Sequence, residues 1–199
     1  MGEWSFGKDP CSRVNPKFDN VYVECLCPFK NNTTCHIINM DLSRNYLSGS
    51  VPSEWANMRL SNLSLMGNRL SGPFPKTLTR MTTLVDLSIE GNRFSGPIPG
   101  EIANLKNLTK LRINDNNFTG KIPNFIGQWT KIEKLRISDL KGGAYSKFPQ
   151  LEKMTNLKKL LLRNCLIHGT IPEYIHREYE TGSFVSHAQV VVASFVDCH

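Results

Sequence analysis

The reactive side chains of this 199-residue sequence fall into a few groups. The densest is Cys11, Cys25, Cys27 and Cys35, with His36 beside the last. Thiols at this density either close disulfides or bind zinc as thiolates. Cys25-x-Cys27 is poor zinc spacing and no second C-x2-C pair follows, so disulfides are the stronger reading and no metal is expected. Four cysteines can pair in more than one way, and the spacing does not choose. Disulfides imply an oxidising compartment. Triplets of the form N-x-S/T, the acceptor pattern for N-glycans, begin at Asn31, Asn32, Asn62, Asn107 and Asn117. Asn31 and Asn32 overlap, so one of the two would be used. His36, His168, His176 and His187 are scattered, each most simply a surface or cap residue. No H-E-x-x-H, G-x-S-x-G or P-loop is present, so no catalytic constellation and no cofactor site is expected.

The elements that position these groups come from one repeated segment. Residues 40–52, with Asn45 at their centre, recur with counterparts centred on Asn68, Asn92 and Asn116, at successive spacings of 23, 24 and 24 residues. A fifth counterpart centres on Cys165. Each follows L-x-L-x-x-N/C-x-L/F/I-x-G-x-I/V/F-P closely, with proline seven residues after the Asn or Cys. This is a leucine-rich repeat array. The expected fold is an α/β solenoid, a right-handed superhelix with a parallel β-sheet on its concave face and a mostly irregular or short-helical convex side. Alternating pairs such as Leu63 and Leu65 read as short strands with one buried face. Asn45, Asn68, Asn92 and Asn116, with Cys165 in the same slot, should stack as a ladder satisfying backbone groups at the bend. Leu47, Leu70, Phe94, Phe118 and Ile167 should form an apolar spine beneath it.

One coil departs. Leu140 occupies the Asn slot and Pro149 comes nine residues later, so residues 141–147 should bulge outward. The chain divides into a cysteine-containing cap (1–36), an array of about six coils (37–175) and a non-repeat tail (176–199). The tail has no cap-like cysteine pair, Cys198 stands alone, and weak local order is expected there. The apolar run at 190–196 is far too short for the ~20 residues of a membrane span. Met1-Gly2-Glu3-Trp4 lacks the apolar core of a secretory signal.

Concave positions follow from the alternation. The first column is Asn39, Asn62, Asp86, Lys110, Lys134 and Lys159. The second is Asp41, Ser64, Ser88, Arg112, Arg136 and Leu161. The third is Ser43, Met66, Glu90, Asn114, Ser138 and Arg163. Acids Asp86 and Glu90 lie toward the cap; cations Lys110, Arg112, Lys134, Arg136, Lys159 and Arg163 lie in the last three coils. With a net charge of +7, this favours an anionic partner: an acidic peptide, a protein, or an acidic glycan. Regular stacking aromatics are absent from these columns, so nucleic acid is not expected. Six coils at ~4.8 Å and ~17 Å strands give a face of about 500 Å², below the ~800 Å² per partner of a standard interface. A ligand shared with a second chain, such as a co-receptor, would relieve that shortfall.

The S-G-x-I-P ending after N-x-L, with Trp4-Ser5-Phe6 and Asp9-Pro10-Cys11, resembles the ectodomains of plant leucine-rich repeat receptor-like serine/threonine kinases. Thr33-Thr34-Cys35-His36-Ile37, Leu135-Arg136-Ile137-Ser138-Asp139-Leu140 and Leu162-Arg163-Asn164-Cys165 resemble the subgroup that adjoins a malectin-like domain. The resemblance covers roughly residues 4–175. It implies an extracellular ligand-sensing array on the outer face of the plasma membrane, in a parent receptor with a span and a kinase. Neither is expected within this sequence, which has no G-x-G-x-x-G, H-R-D or D-F-G. The alternative reading is a secreted decoy or inhibitor, though such inhibitors would keep a C-terminal cysteine cap.

Overall fold

The computed structural model describes residues 11, 21–29, 34–176 and 189–191. Its strands, in chain order, are β1 (Tyr22–Phe29), β2 (Thr34–Asp41), β3 (Ser48–Gly49), β4 (Asn62–Ser64), β5 (Arg69–Pro73), β6 (Asp86–Ser88) and β7 (Arg93–Pro97). They continue with β8 (Lys110–Arg112), β9 (Asn117–Thr119), β10 (Lys134–Ser138), β11 (Ser146–Lys147), β12 (Lys159–Arg163), β13 (Ile167–His168) and β14 (Gln189–Val191).

One eight-stranded sheet runs β1-β2-β4-β6-β8-β10-β12-β14. β1 and β2 are antiparallel, and every later neighbour is parallel. The register is that of the repeat. Leu63, Leu87, Leu111, Leu135 and Leu160 stand side by side, each at most 2% exposed. A one-residue slip would turn this whole leucine row to solvent, which is why the repeat specifies its own pairing. The stretch after the ladder forms a second, four-stranded sheet, β3-β5-β7-β9, and a two-stranded pair, β11-β13.

The convex side is made of short 3-10 turns at Ser53–Asn57, Gly100–Asn104, Asn124–Gln128 and Glu173–His176, and one α-turn, α1 (Lys76–Thr79). Pro52, Pro75, Pro99 and Pro123 stand immediately before the first four turns, with φ between −58° and −75°. That fixed φ ends the extended run and suits the start of a helical turn. One continuous core threads all the coils, from Met40 and Leu42 at one end to Leu160 and Leu162 at the other.

The ladder has the geometry its chemistry requires. Asn92 Nδ2 donates to Ile89 O in its own coil (3.1 Å) and Leu65 O in the preceding one (2.8 Å). Its Oδ1 accepts from Leu70 N at 3.1 Å. Asn68 and Asn116 repeat this pattern, while Asn45, in the first coil, bonds Leu42 O and Ser43 O. Cys165 is buried in the same slot, its Sγ 3.2 Å from Arg163 O and 3.5 Å from Ile137 O. Phe94 and Phe118 stack beneath the ladder with ring centroids 6.5 Å apart.

Two features go beyond the sequence reading. The residue just before each ladder position takes a positive φ: Arg44, Gly67, Gly91, Asp115, Asp139 and Asn164 lie between 50° and 68°. The chain turns there in left-handed backbone, which glycine, asparagine and aspartate tolerate best. The insert is also more tightly tied than a simple bulge. Lys141 bridges to Thr119, Gly143 packs onto Gly120, and Ser146 and Lys147 rejoin the framework as β11; Gly142, Ala144 and Tyr145 stand out to solvent.

Both ends of the concave sheet are extended. At the cap, disulfides join Cys11 to Cys25 and Cys27 to Cys35, so all four thiols are consumed and none is left for the zinc reading. At the other end β14 pairs in parallel with β12. Three residues of the expected loose tail thus belong to the sheet. The remainder of the tail, 177–188 and 192–199 with Cys198, lies outside the described residues, as do Trp4-Ser5-Phe6 and the acceptor sites Asn31 and Asn32.

Candidate functional site: the concave face

The parallel register brings the three concave columns together as rows, one residue per strand. The first row begins as a hydrogen-bonded chain. Asn39 Nδ2 donates to Glu24 Oε2, and Asn62 Nδ2 donates to Asn39 Oδ1 at 2.5 Å. Amides can stack this way because each is both donor and acceptor. The row then changes character. Asp86 lies between Asn62 and Lys110 and pairs with two cations, Lys110 Nζ at 3.4 Å and Arg112 Nη1 at 3.2 Å.

Further along, Arg136 Nη1 reaches Glu90 Oε2 at 3.7 Å. Arg163 Nη2 lies 2.6 Å from Asp115 Oδ1 and 3.2 Å from Asp139 Oδ2. Ser138 Oγ sits between the two acids. It accepts from Asp115 N at 2.9 Å and donates to Asp139 Oδ2 at 2.5 Å. Partial burial pushes the Asp139 carboxyl up. Hydrogen bonds from Ser138, Asn164 and Arg163, with the guanidinium charge, outweigh it and hold the group below the ordinary carboxylate value. The hydrogen bond and charge of Asp139, reinforced by Asp115, raise the Arg163 guanidinium in return.

Four of the six cations grouped by sequence are therefore neutralised by the chain's own carboxylates: Lys110, Arg112, Arg136 and Arg163. Lys134 and Lys159 have no carboxylate partner among the described residues. They are direct partners in the β10–β12 register, in line with Lys110 on β8. Two ammonium groups on strands ~4.8 Å apart repel each other, and an anion placed between them removes that repulsion.

The sequence reading missed two groups here. Asp115 and Asp139 fell at a pattern position that tolerates any residue, yet they anchor Arg163. Tyr22 and Leu26 flank Glu24 on β1 and are 60% and 45% exposed, adding an apolar margin at the cap end. The alternation of Tyr22, Glu24 and Leu26 with the inward Val23, Cys25 and Cys27 was the available signal.

The glycan acceptors differ in setting. Asn62 is half-buried in the concave row with its amide nitrogen engaged. Asn107 is exposed, its Nδ2 3.0 Å from Thr82 O. Asn117 is exposed and uses its Oδ1 to accept from Lys141 Nζ at 2.7 Å. Cys165 carries a thiol pushed up to about 12, by burial first and then by the charge of Asp139. It is a structural residue, not a nucleophile.

Family models described as leucine rich repeat match residues 58–118, and residues 36–58 and 156–177. One relative, a probable leucine-rich repeat receptor-like serine/threonine-protein kinase of Arabidopsis thaliana, is 41% identical over a match covering 41% of this chain and 11% of the relative. The chain thus spans a small part of the curated proteins it matches. Among solved structures, the Arabidopsis receptor kinase HAESA, in complex with the peptide hormone IDA and the co-receptor SERK1, superposes with a TM-score of 0.59. That match has 34% identity and covers 67% of this chain and 22% of that one. The Arabidopsis BIR3–SERK2 complex gives a TM-score of 0.62 at 26% identity, covering 83% of this chain and 84% of the matched one. By repeat, register and ladder, as by these likenesses, the chain belongs to the leucine-rich repeat family, with relatives among the plant receptor-like serine/threonine kinases.

Proposed function

We propose that this chain is an extracellular ligand-recognition array of a plant receptor-like kinase, and that it holds an extended peptide or protein segment across its concave face with a carboxylate over Lys134 and Lys159. The observation that carries the reading is the pairing pattern. Every other cation on the face already has a carboxylate, so these two adjacent lysines are where an incoming anion gains most. The cap end offers the complementary half, with Glu24, Asp41 and the neutral amide row suited to a backbone or a basic group. Six strand spacings separate Glu24 from Lys159, roughly 29 Å, which an extended peptide of about nine residues spans.

The likeness to HAESA, solved with the peptide hormone IDA, and to the plant peptide hormone receptor RGFR1 favours a peptide over an acidic glycan as the ligand. Even with eight strands the face is well under the ~800 Å² per partner of a standard interface, which supports a ligand shared with a second chain such as a co-receptor. We place the parent receptor in the subgroup with an adjoining malectin-like domain, on the motifs around Cys35, Leu135 and Cys165; the full-length transcript tests that placement.

The functional reading is tested with a display library of ten-residue peptides bearing free C-termini. Selection on the wild-type array should enrich sequences that end in a carboxylate-rich segment, and selection on Lys134→Glu/Lys159→Glu should not. The same enrichment on both proteins would overturn the reading.

A further inference from the structure

On the far side of the Asn ladder lies a face that concave recognition does not use. Each coil leaves the ladder through a stretch ending at proline: residues 45–52, 68–75, 92–99, 116–123, 140–149 and 165–172. None of the six contains an aspartate or a glutamate. They do contain Arg69, Arg93, Lys121, Lys141 and Lys147, and all five side chains are exposed.

Arg69 and Arg93 open β5 and β7, with Leu70 and Phe94 buried directly behind them. The two cations therefore share the outer face of the second sheet. Ser48, Ser71, Ser95 and Thr119 follow two residues on, which keeps that face low and flat. Tyr46 stands at one end, 80% exposed, with the Arg69 guanidinium 4.8 Å above its ring.

The two faces treat charge in opposite ways. On the concave face four of six cations meet a carboxylate of the chain itself. On the flank none of the five has one among the described residues, and the nearest recorded partner of Lys141 is the neutral Asn117 Oδ1. Like charges repeated along a solenoid edge without counter-charge repel, and the field they build attracts anions. The composition narrows the class of partner. Arginine and an exposed tyrosine are the residues enriched at protein–protein contacts. The row is also broken at Asn117, which a uniform polyanion with one charge per step would leave unmatched.

We propose that this flank is a second binding surface, for the acidic surface of a protein partner, with the stacked Tyr46–Arg69 pair as its anchor. It is independent of the concave lysines and stands whether or not they bind a ligand.

The test measures fluorescence anisotropy of a labelled 16-residue Glu-rich peptide, and of an oligogalacturonate of equal charge, against the full chain at low salt. Arg69→Glu/Arg93→Glu should weaken peptide binding by about tenfold or more. Tyr46→Ala should weaken it several-fold without any change of charge. All are read in a Lys134→Gln/Lys159→Gln background, which removes the concave anion site, and there Lys106→Glu/Lys153→Glu, exposed away from the flank, should leave binding within about twofold. The milder Arg69→Gln/Arg93→Gln, in a protein with unchanged thermal melting, should reproduce most of the loss. No peptide binding in that background, binding unchanged by the flank variants, an equal loss in Lys106→Glu/Lys153→Glu, or tighter binding of the oligogalacturonate than of the peptide would each overturn the proposal.

Discussion

The amide of Asn92 lies 2.8 Å from the carbonyl of Leu65, a residue of the preceding coil. The same side chain accepts from Leu70 N, also in that coil, and donates to Ile89 O in its own. One buried asparagine thus joins two coils and satisfies three backbone groups. Replacing it with alanine should lower stability by about 3 kcal/mol, since each buried group left unpaired costs roughly 1–3 kcal/mol. Urea denaturation of Asn92→Ala measures this. A loss under about 1 kcal/mol would mean that water replaces the amide and that the ladder is not what ties the coils.

Asp139 supplies a pH dependence with a defined sign. Its folded-state value is below the ordinary 3.8, so the stability it contributes is fully present above that value and is lost as pH falls through the lowered one. Acid unfolding followed by circular dichroism should therefore begin at lower pH in the wild type than in Arg163→Gln, which removes the guanidinium from both Asp115 and Asp139. Coincident acid transitions would show that the cluster contributes nothing to stability.

Cys165, with a thiol raised to about 12 and buried under the bend, should resist alkylation in the folded array. At pH 8, iodoacetamide labelling of the peptide containing Cys165, read by mass spectrometry, should be at least about a hundredfold slower in native protein than in 6 M guanidinium. Rapid native labelling would place the thiol in an opening segment instead.

Gly127 is a steric position. A Cβ there would lie 2.2 Å from Gln150 O, which is backbone and cannot swing aside, whereas one at Gly100 meets nothing within 4 Å. Gly127→Ala should cost about 1–3 kcal/mol and Gly100→Ala close to nothing, both read from the denaturation midpoint. Equal effects would show that the inserted coil adjusts freely around Gly127.

The repeat made much of this fold readable in advance. Asn68, Leu70 and Pro75 recur at fixed offsets because each serves a local need, and local needs leave a pattern in sequence. The ion pairs leave none. Arg163 and Asp115 are 48 residues apart and meet only because their coils, two steps apart in the array, stack in register. Asp86 was legible as a concave acid, but that it would pair with both Lys110 and Arg112 depended on side-chain geometry. The pairing of the four cap cysteines was open for the same reason: several closures suit the spacing, and the antiparallel β1–β2 hairpin selects among them. β14 was missed because residues 189–191 carry no repeat motif to mark their pairing with β12.

The proposed ligand site requires Lys134 and Lys159, neighbours on β10 and β12, to stay without a carboxylate of the chain while the other four concave cations are paired. Isothermal titration of one library-selected peptide, made with a free C-terminus and with an amidated one, measures this directly. If these lysines hold the ligand's carboxylate, the free form should bind about tenfold or more tightly, that advantage should vanish in Lys134→Gln/Lys159→Gln, and Arg112→Gln should keep it. Loss of the advantage in Arg112→Gln with full retention in the lysine double variant would contradict it.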